Sequence, residues 1–281
     1  MEIVGCYNCG AQDSTDFASE NGYSLRKCVA CGLLYVNPRP SATEIEQAHK
    51  LGQHSGAKQV NTTGFYDFSK VSSYRKTLED LFGDNRSLRG KRWLDIGCGF
   101  GELMLALKKF SRNELDVSGV EPNVHKTAAA RRQGLNVSYF DLDQHTERYD
   151  FISLLNVYSH LPDPGKALAS WKRLLKPDGE LLLETGDTAD MSPETHPTPY
   201  YLPDHLSFAS ERIVRDVLER AGFEILEVQK YPEVRETPTA ILREALKMFV
   251  PGKHSRLLRV LRKELREMDM YVLARLKREP G

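Results

Sequence analysis

Apolar residues recur with two alternating periods between residues 72 and 230 of this 281-residue chain. Runs of five to seven mostly apolar residues, typical of buried strands, alternate with longer segments in which apolar residues recur every three or four positions, as on a helix that faces a core. Repeated strand-then-helix units with short turns predict a doubly wound, mostly parallel sheet in an α/β fold. The predicted helices are 72–83, 101–110, 124–133, 165–175 and 210–221, and the predicted strands are 92–96, 117–121, 136–140, 149–155, 180–185 and 224–230.

The C-terminal part carries a second kind of pattern. Between residues 232 and 268 two amphipathic segments predict a helical insertion, followed by a last strand at 270–277. From Lys230 to the end there are 13 Lys and Arg against 7 Asp and Glu, a local net charge of +6. This charge has two interpretations, a solvated helix face or a site for a phosphorylated or nucleotide-bearing acceptor or for RNA. The second segment has an apolar stripe of Leu257, Leu258, Leu261, Leu265 and Met268 opposite Arg256, Arg259, Arg262, Lys263 and Arg266.

The N-terminal part holds two close cysteine pairs in a C-x2-C, x18, C-x2-C arrangement, Cys6, Cys9, Cys28 and Cys31. Each pair is followed by a glycine, which suits a turn that directs two thiolates at one ion. We therefore predict a structural Zn(II) site with no open coordination position. Two disulfides or a redox-active pair are the alternatives.

These patterns divide the chain into three parts. Residues 1–40 are predicted to form the zinc-binding module, and residues 41–71 a linker or helical flap that starts at Ser41, with Glu44 at the capping-box position. Residues 72–281 form the α/β domain, with the helical insertion at 232–268.

Composition narrows the function classes. The chain has 39 Lys and Arg against 39 Asp and Glu, so no global charge favours nucleic acid or an anionic membrane. It contains no run of 18 apolar residues and no N-terminal secretory signal pattern, so we expect a cytoplasmic protein without a membrane span.

The segment "LDIGCGFGE" places Gly97, Gly99 and Gly101 between a predicted strand and helix. Glycines let the backbone approach a ligand there, and the following helix offers free N–H groups to negative charge. The G-x-G-x-x-G spacing of dinucleotide-binding folds is not met, because the residue at its third glycine position is Glu102. The segment instead resembles the first motif of class I S-adenosylmethionine-dependent methyltransferases.

Other segments between residues 72 and 230 support this resemblance. "VSGVEPN" places Glu121 where the family binds both ribose hydroxyls, and "YFDLDQ" places Asp141 at the adenine edge. "LLNVYSHLPDP" resembles the family's "EHLPDP" segment, with Ser159 where glutamate is common, and "LLKPDGELLLET" resembles its fifth strand. The resemblance implies a seven-stranded Rossmann-like methyltransferase sheet that binds S-adenosylmethionine. Its cofactor-binding residues would be Asp95, Gly97, Cys98, Gly99, Gly101, Glu121, Pro122, Asp141, Leu142, Asn156 and Val157.

Most of these residues also have a purely structural interpretation. Glu121 alone is an ordinary carboxylate at a strand end, and Asp141 and Asp143 alone begin a turn. Cys98 is assigned no chemistry of its own. It is the joint occurrence of the glycines, the acidic residues and the strand order that favours the cofactor.

The segment from Glu184 to Ser210 is too long and too rich in functional side chains for a simple connection. Within it, "YYLPDHLSF" resembles the Tyr, acid and His segment of small-molecule methyltransferases, including deoxysugar C-methyltransferases, which also carry a zinc module and an "NPRP"-like turn. We take His205 as the candidate base because imidazole titrates near neutrality, with Asp204 or Tyr201 orienting it or holding the acceptor. His205 as a structural contact is the equal alternative. His160 is interpreted as structural, and His196 is a weaker third candidate for the base.

Three functions follow from these features. The leading one is S-adenosylmethionine-dependent methyl transfer, preferably O-methylation, to a small molecule of a biosynthetic pathway, such as a sugar or a secondary-metabolite precursor. The partner would be a small-molecule acceptor, phosphorylated or nucleotide-linked in one version, and nucleic acid is disfavoured because residues 1–75 lack a basic stripe with interleaved aromatics. The alternatives are a ribosomal RNA or tRNA methyltransferase and a non-enzymatic binding or assembly protein.

Overall fold

The computed structural model describes residues 1–139, 142–143, 145–232, 238–250, 255, 257 and 267–277, apart from the side chains of 238–240 and 267. Its helices are α1 (Ala42–Leu51), α2 (Phe68–Phe82), α3 (Glu102–Phe110), α4 (Val124–Arg132), α5 (Pro164–Trp171), α6 (Glu211–Arg220) and α7 (Pro238–Lys247). Its strands are β1 (Ser14–Glu20), β2 (Tyr23–Cys28), β3 (Leu34–Val36), β4 (Gln53–His54), β5 (Val60–Asn61), β6 (Arg92–Ile96), β7 (Asp116–Glu121), β8 (Asn136–Tyr139), β9 (Tyr149–Leu155), β10 (Leu175–Gly186), β11 (Ser207–Phe208), β12 (Phe223–Pro232) and β13 (Glu267–Leu276).

The main sheet has seven strands in the order β12-β13-β10-β9-β6-β7-β8. β6 pairs parallel with β7 and β9, β9 with β10, and β7 with β8, whereas β13 runs antiparallel between β10 and β12. The mostly parallel α/β sheet predicted from the sequence is therefore confirmed. The strand order reverses beside β6, and ligands of such sheets bind at this point, beyond the carboxyl ends of the strands.

The N-terminal module is joined to the main domain through a shared sheet. Strands β1, β2 and β3 form a four-stranded sheet with β11, which belongs to the long loop between β10 and α6, residues 187–210. Buried Leu25 and Leu33 belong to the same hydrophobic cluster as Leu154 on the central strand β9. Packing against the main core therefore compensates for the small size of the module.

Several element boundaries differ from the prediction. α2 begins at Phe68 because Asp67 caps it by accepting a hydrogen bond from the Ser69 N–H, 2.9 Å away. The predicted helix 165–175 ends at Trp171, tightens into a 3-10 turn, and gives way to β10 at Leu175. Pro177 fits the change to extended backbone at Leu175, since a proline disfavours helical backbone in Lys176 before it.

The predicted C-terminal insertion is only partly described. α7 is present, and its Arg243 Nη1 lies 3.1 Å from Asp67 Oδ2 at the start of α2. Most of the predicted second helix, 253–268, lies outside the described residues, namely 253–254, 256 and 258–266. Met268, predicted on the apolar stripe of that helix, belongs to β13, so this part of the prediction is wrong. Among the described residues, no helix combines the length and apolar character needed to cross a membrane.

Candidate functional site

The glycine turn connects β6 to α3 and exposes main chain to a cavity. Gly97, Gly99 and Gly101 have φ of 72°, 57° and 89°, values that favour glycine. A Cβ at Gly97 would lie 2.5 Å from Val157 Cγ2, and one at Gly101 would lie 2.1 Å from Leu135 Cδ1. At Gly99 the nearest atom would be Glu102 Oε2 at 3.8 Å. Packing therefore excludes side chains at the first and third glycines, while the second borders the open cavity.

Glu121 ends β7 beside this turn, as predicted from the sequence. Its carboxylate is 5% exposed and accepts hydrogen bonds from the N–H groups of Gly99 and Asn123, each 2.8 Å long. It therefore ties the glycine turn to the next strand end. Asp95 lies in the same wall, where it accepts a 2.6 Å hydrogen bond from Ser153 Oγ.

Acidic groups in and beside this wall have raised pKa values, and burial is the largest cause for each of them. Burial raises the pKa of Glu121. Burial, with Glu121 and Glu102 nearby, raises the pKa of Asp95 to about 7 despite its bond from Ser153. Burial and Asp269 raise the pKa of Glu184, on β10, to about 8. A cationic ligand would supply the missing countercharge, so the wall fits a sulfonium cofactor.

The remaining cofactor-binding candidates separate into three groups. Cys98, Pro122, Asn156 and Val157 line the same cavity as the glycine turn. Asn156 has a φ of 56°, and its N–H donates a 2.7 Å hydrogen bond to Glu184 Oε2. The Leu142 side chain packs in the hydrophobic core and does not line this cavity, so its assignment to the cofactor site stays a prediction. Asp141 lies outside the described residues.

The cavity has a volume of about 660 Å³ and three sources of lining residues. The glycine turn and Glu121 form one wall, and His160, Tyr201, Asp204 and His205 form the opposite one. Residues of the predicted flap complete the lining, among them His49 on α1 and the segment 61–65. Such a volume lies within the range of roughly 300 to 1,000 Å³ found for small-molecule sites.

Asp204 is the centre of the opposite wall. Its Oδ1 lies 2.9 Å from His54 Nε2 and 3.3 Å from His160 Nδ1, and its backbone carbonyl lies 2.8 Å from His160 Nδ1. His205 stacks edge to face on His160 at a ring distance of 4.7 Å. His49 lies beside His54 and His160, with ring distances of 5.6 and 6.1 Å.

The charge states of this wall follow from Asp204. Although burial opposes its ionisation, His160 and His54 hold the pKa of Asp204 far below its ordinary value. Against its own burial, the Asp204 charge raises the pKa of His160. Burial and the neighbouring His160 lower the pKa of His205 to about 3. This shift is away from the titration near neutrality expected from the sequence, and the role of His205 as a base stays a prediction.

The other predicted residues of the long loop have different places. Tyr201 lines the cavity, is 51% exposed, and has a φ of 59°, a strained conformation for a residue with a side chain. His196 packs edge to face on Phe17 and Phe208 and does not line the cavity. It is a structural contact, whereas His160, interpreted as structural from the sequence, lines the site.

Sequence reasoning missed His49, His54 and Tyr74. Tyr74 of α2 lines the cavity, and His54 is 2% exposed although it lies in the polar stretch interpreted as a linker. The available signal was Gly52 after α1, since a helix C-cap glycine predicts a sharp turn and hence a hairpin back over the site. Gly52 has a φ of 66°, and its N–H bonds to the Ala48 carbonyl.

The four N-terminal cysteines are brought together into one four-cysteine cluster. Cys6 and Cys31 Sγ are 3.4 Å apart, Cys9 and Cys28 Sγ are 3.5 Å apart, and all four lie within 4.8 Å of one another as free thiols. The N–H group of the glycine after each pair closes its turn, donating to the Cys6 carbonyl at 2.8 Å and to the Cys28 carbonyl at 2.9 Å. A tetrahedral zinc ion with four sulfur ligands has S···S separations of about 3.8 Å, so the four-cysteine cluster is compatible with zinc.

The module also holds the long loop in place. Glu20 of β1 accepts hydrogen bonds from the N–H groups of Tyr200 and Leu202, at 2.8 and 3.0 Å. Ser207 and Phe208 pair with Tyr35 and Leu34 of β3. The backbone around Asp204 and His205 is therefore fixed from the side of the four-cysteine cluster.

Comparison with known proteins agrees with this geometry. Residues 68–228, more than half of the chain, match the family described as "Methyltransferase domain". A ubiquinone biosynthesis O-methyltransferase of Actinobacillus pleuropneumoniae serotype 7 (strain AP76) is 36% identical over 112 residues, which cover 35% of this chain and 47% of that protein. The chain thus spans about half the length of the curated relatives it matches.

Two solved structures show the same fold at low sequence identity. An S-adenosylmethionine-dependent methyltransferase from Mesorhizobium loti has a TM-score of 0.51 at 18% identity, with 73% of this chain and 96% of that chain covered. The [4+2]-cyclase SpnF has a TM-score of 0.52 at 20% identity, with 75% and 82% covered. Because a cyclase shares the fold, the reaction has to be argued from the site.

Proposed function

The chain belongs to the methyltransferase-domain family, and from that premise we propose that it transfers the methyl group of S-adenosylmethionine to a hydroxyl oxygen of a small biosynthetic molecule. The observation that carries this proposal is the cavity itself. The glycine turn and Glu121 border it on one side, and the polar wall around Asp204 and His205 borders it on the other. A methyl donor and an acceptor would therefore meet in one cavity.

On the cofactor side, the turn at Gly97, Gly99 and Gly101 would hold the amino-acid part of the cofactor against bare main chain. Glu121 would accept hydrogen bonds from both ribose hydroxyls, for which a carboxylate has two suitable oxygens. The raised pKa values of Asp95, Glu121 and Glu184 support a ligand that carries positive charge. Asn156 and Val157 border the same part of the cavity.

On the acceptor side, methyl transfer from a sulfonium is an in-line displacement, so the chain has to align the acceptor and receive its proton. We assign the proton to His205, which lines the cavity as a neutral imidazole, although its lowered pKa makes it a weaker base than an ordinary histidine. Asp204 and Tyr201 would position the acceptor and His205. The oxygen lone pair forms the new O–CH3 bond, the S–CH3 electron pair stays on sulfur, and the proton passes through His205 to solvent.

Two further observations support a small hydroxylated acceptor. The relatives' name, ubiquinone biosynthesis O-methyltransferase, favours O-methylation in a biosynthetic pathway. A bounded cavity suits a small molecule better than a polynucleotide, which needs an extended basic surface. We assign the four-cysteine cluster a structural zinc ion, because four thiolates leave no coordination position for a substrate.

Calorimetry with S-adenosylmethionine and S-adenosylhomocysteine tests the cofactor assignment directly. Transfer of a labelled methyl group to a panel of phenols, catechols and sugar alcohols then tests the reaction. We expect binding of both cofactor forms and labelled ether products from at least one hydroxyl class. If the folded chain bound neither cofactor form, the proposed function would be wrong.

A further inference from the structure

The wall around Asp204 contains buried histidine nitrogens that the proposed proton transfer does not use. His49 Nε2 and His54 Nε2 are both buried and have no hydrogen-bond partner among the described residues. His54 Nε2 lies 2.9 Å from Asp204 Oδ1, so its close polar neighbour is itself a carboxylate oxygen that could bind the same ion. A buried nitrogen without a partner is costly, so these two call for an explanation.

We propose that His49, His54 and Asp204 form a second metal site, for a divalent transition ion such as Zn²⁺, that opens into the acceptor side of the cavity. The three ligand atoms lie within 4.8 Å of one another. Around a tetrahedral ion with bond lengths of about 2.1 Å, neighbouring ligand atoms are about 3.4 Å apart. Small side-chain rotations would bring these atoms to that spacing.

The chemistry of the ligands favours zinc-like ions over magnesium or calcium. Two imidazoles and one carboxylate are a common ligand set of catalytic zinc sites, whereas Mg²⁺ and Ca²⁺ take oxygen ligands. Three protein ligands leave at least one coordination position open. His49 and Asp204 line the cavity, so the open position is directed toward the acceptor rather than toward the core.

Neighbouring groups hold the three ligands in place. His160 Nδ1 lies 2.8 Å from the Asp204 carbonyl and 3.3 Å from its carboxylate, which fixes the orientation of Asp204. Asn123 Nδ2 donates a 3.3 Å hydrogen bond to the His49 carbonyl. The Gly52 turn places His49 and His54 on the same hairpin. Such supporting contacts are typical of metal sites.

The hydroxyl oxygen of the acceptor would bind the ion at its open coordination position. The ion would thereby increase the acidity of that hydroxyl. This part rests on the proposed function, whereas the metal site itself does not. The four-cysteine cluster and the proposed site differ in chemistry, because only the former has thiolate ligands. The full chain would therefore bind two zinc ions of different kinds.

The number of zinc ions bound per chain tests the proposal. The full-length protein, loaded with Zn²⁺ and dialysed against metal-free buffer, should retain two zinc ions per chain by elemental analysis. His54→Gln and His49→Gln should each retain one, and His125→Gln, which changes an exposed histidine on α4, should retain two. One zinc in the unmodified protein, or two in both His54→Gln and His49→Gln, would overturn the proposal.

Cobalt substitution identifies which site each variant loses. Co²⁺ in the four-cysteine cluster has thiolate charge-transfer absorption, and Co²⁺ bound by imidazole and carboxylate has only the weaker d–d bands. His54→Gln should lose the second component and keep the first, with S-adenosylhomocysteine binding unchanged as proof of folding. Since neither metal readout needs an acceptor, failure of the metal proposal is distinguishable from failure of the proposed function.

Discussion

The two walls of the cavity are built in different ways. The cofactor wall comes from consecutive strand ends between Asp95 and Val157, and its polar contacts are largely main-chain groups bonded to Glu121. The opposite wall joins side chains from α1, β4, the turn after β9 and the loop before β11, and it depends on a separate small sheet for its position. One wall is local in sequence, and the other is assembled by tertiary structure.

The pKa values of the buried carboxyl groups are shifted in opposite directions in the two walls. Burial is the main cause of the raised pKa values of Asp95 and Glu121 in the cofactor wall, and of Glu184, which accepts a hydrogen bond from the N–H group of Asn156. Asp204 has a strongly lowered pKa because, against its burial, His160 and His54 surround it. Lys70 and Lys126 therefore offset the burial of the cofactor-side carboxyl groups only in part, whereas Asp204 is already paired with histidines. Variants should consequently affect the two walls independently.

The largest expected effect comes from removing the metal from the four-cysteine cluster. It should disturb the opposite wall and leave the cofactor wall intact. We expect Cys9→Ser to lose zinc and to release the loop held by Glu20 and β3, so that kcat/KM for methyl transfer falls by about 10³-fold. Cofactor affinity should stay within about threefold, because Glu121 and the glycine turn do not contact the module. Zinc analysis, calorimetry and turnover measure the three quantities.

Val29→Ser is the matched control for Cys9→Ser. Val29 is 66% exposed and lies between Cys28 and Cys31, so the substitution changes the same module without removing a thiolate. It should leave all three quantities unchanged. Full turnover in zinc-free Cys9→Ser would show that the module does not position the acceptor wall.

Glu121→Ala tests the cofactor wall from the other direction. It removes a buried carboxylate that fixes the N–H groups of Gly99 and Asn123 and would also bind the ribose. Two charge-assisted hydrogen bonds contribute about 3 kcal/mol, so we expect cofactor affinity to fall by a few hundredfold. Glu219→Ala, at an exposed carboxylate on α6, is the control and should bind normally. Unchanged affinity in Glu121→Ala by calorimetry would remove this residue from the cofactor site.

The contrast between the walls explains what the sequence could predict. The order of strands and helices, the glycine turn, Glu121 and the four-cysteine cluster follow from short segments whose spacing is visible in the chain. His49 and His54 lie in a polar stretch without a strong pattern, and only tertiary contacts bring them to Asp204. The register of β11 with β3, which ties the module to the long loop, also has no local signal, because two residues are too few to show a period.

The ends of some helices and strands could not be predicted from the sequence for a related reason. Met268 fits an apolar helix stripe as well as a strand, and its strand β13 pairs with β10, which lies far earlier in the chain, as well as with β12. The ambiguity of His160 and His196 is similar, because each is a lone histidine in a loop. Only the structure separates the one that lines the cavity from the one that packs on Phe17.

His205→Ala tests which residue of the opposite wall takes part in methyl transfer. Loss of the proposed base should lower kcat by about 10²-fold while cofactor affinity stays constant. His125→Ala, at an exposed histidine on α4, should leave kcat unchanged. Equal turnover in His205→Ala and the unmodified protein would mean that His205 only packs the loop on His160, with a ring distance of 4.7 Å.

The smallest expected effect concerns stability in the cofactor wall without ligand. Asp95 has a pKa of about 7 in the folded chain, against about 3.9 for an unfolded aspartate. Between these values the folded state holds a proton that the unfolded state has lost, so its stabilising contribution is present below about pH 4 and disappears as the pH rises through about 7. For Asp95 alone this amounts to roughly 2 to 3 kcal/mol between pH 5 and 8.

Asp95→Asn separates this contribution from those of other groups. The amide keeps the shape of the protonated carboxyl but does not titrate, so the unfolding free energy of the variant should fall less steeply between pH 5 and 8. The raised pKa of Glu184 acts in the same direction in both proteins and therefore cancels in their difference. Urea denaturation at several pH values, without cofactor, measures the two slopes. Equal slopes in the two proteins would show that Asp95 is ionised when no cofactor is bound. The raised pKa of Asp95, and the need for a cationic ligand inferred from it, would then be wrong.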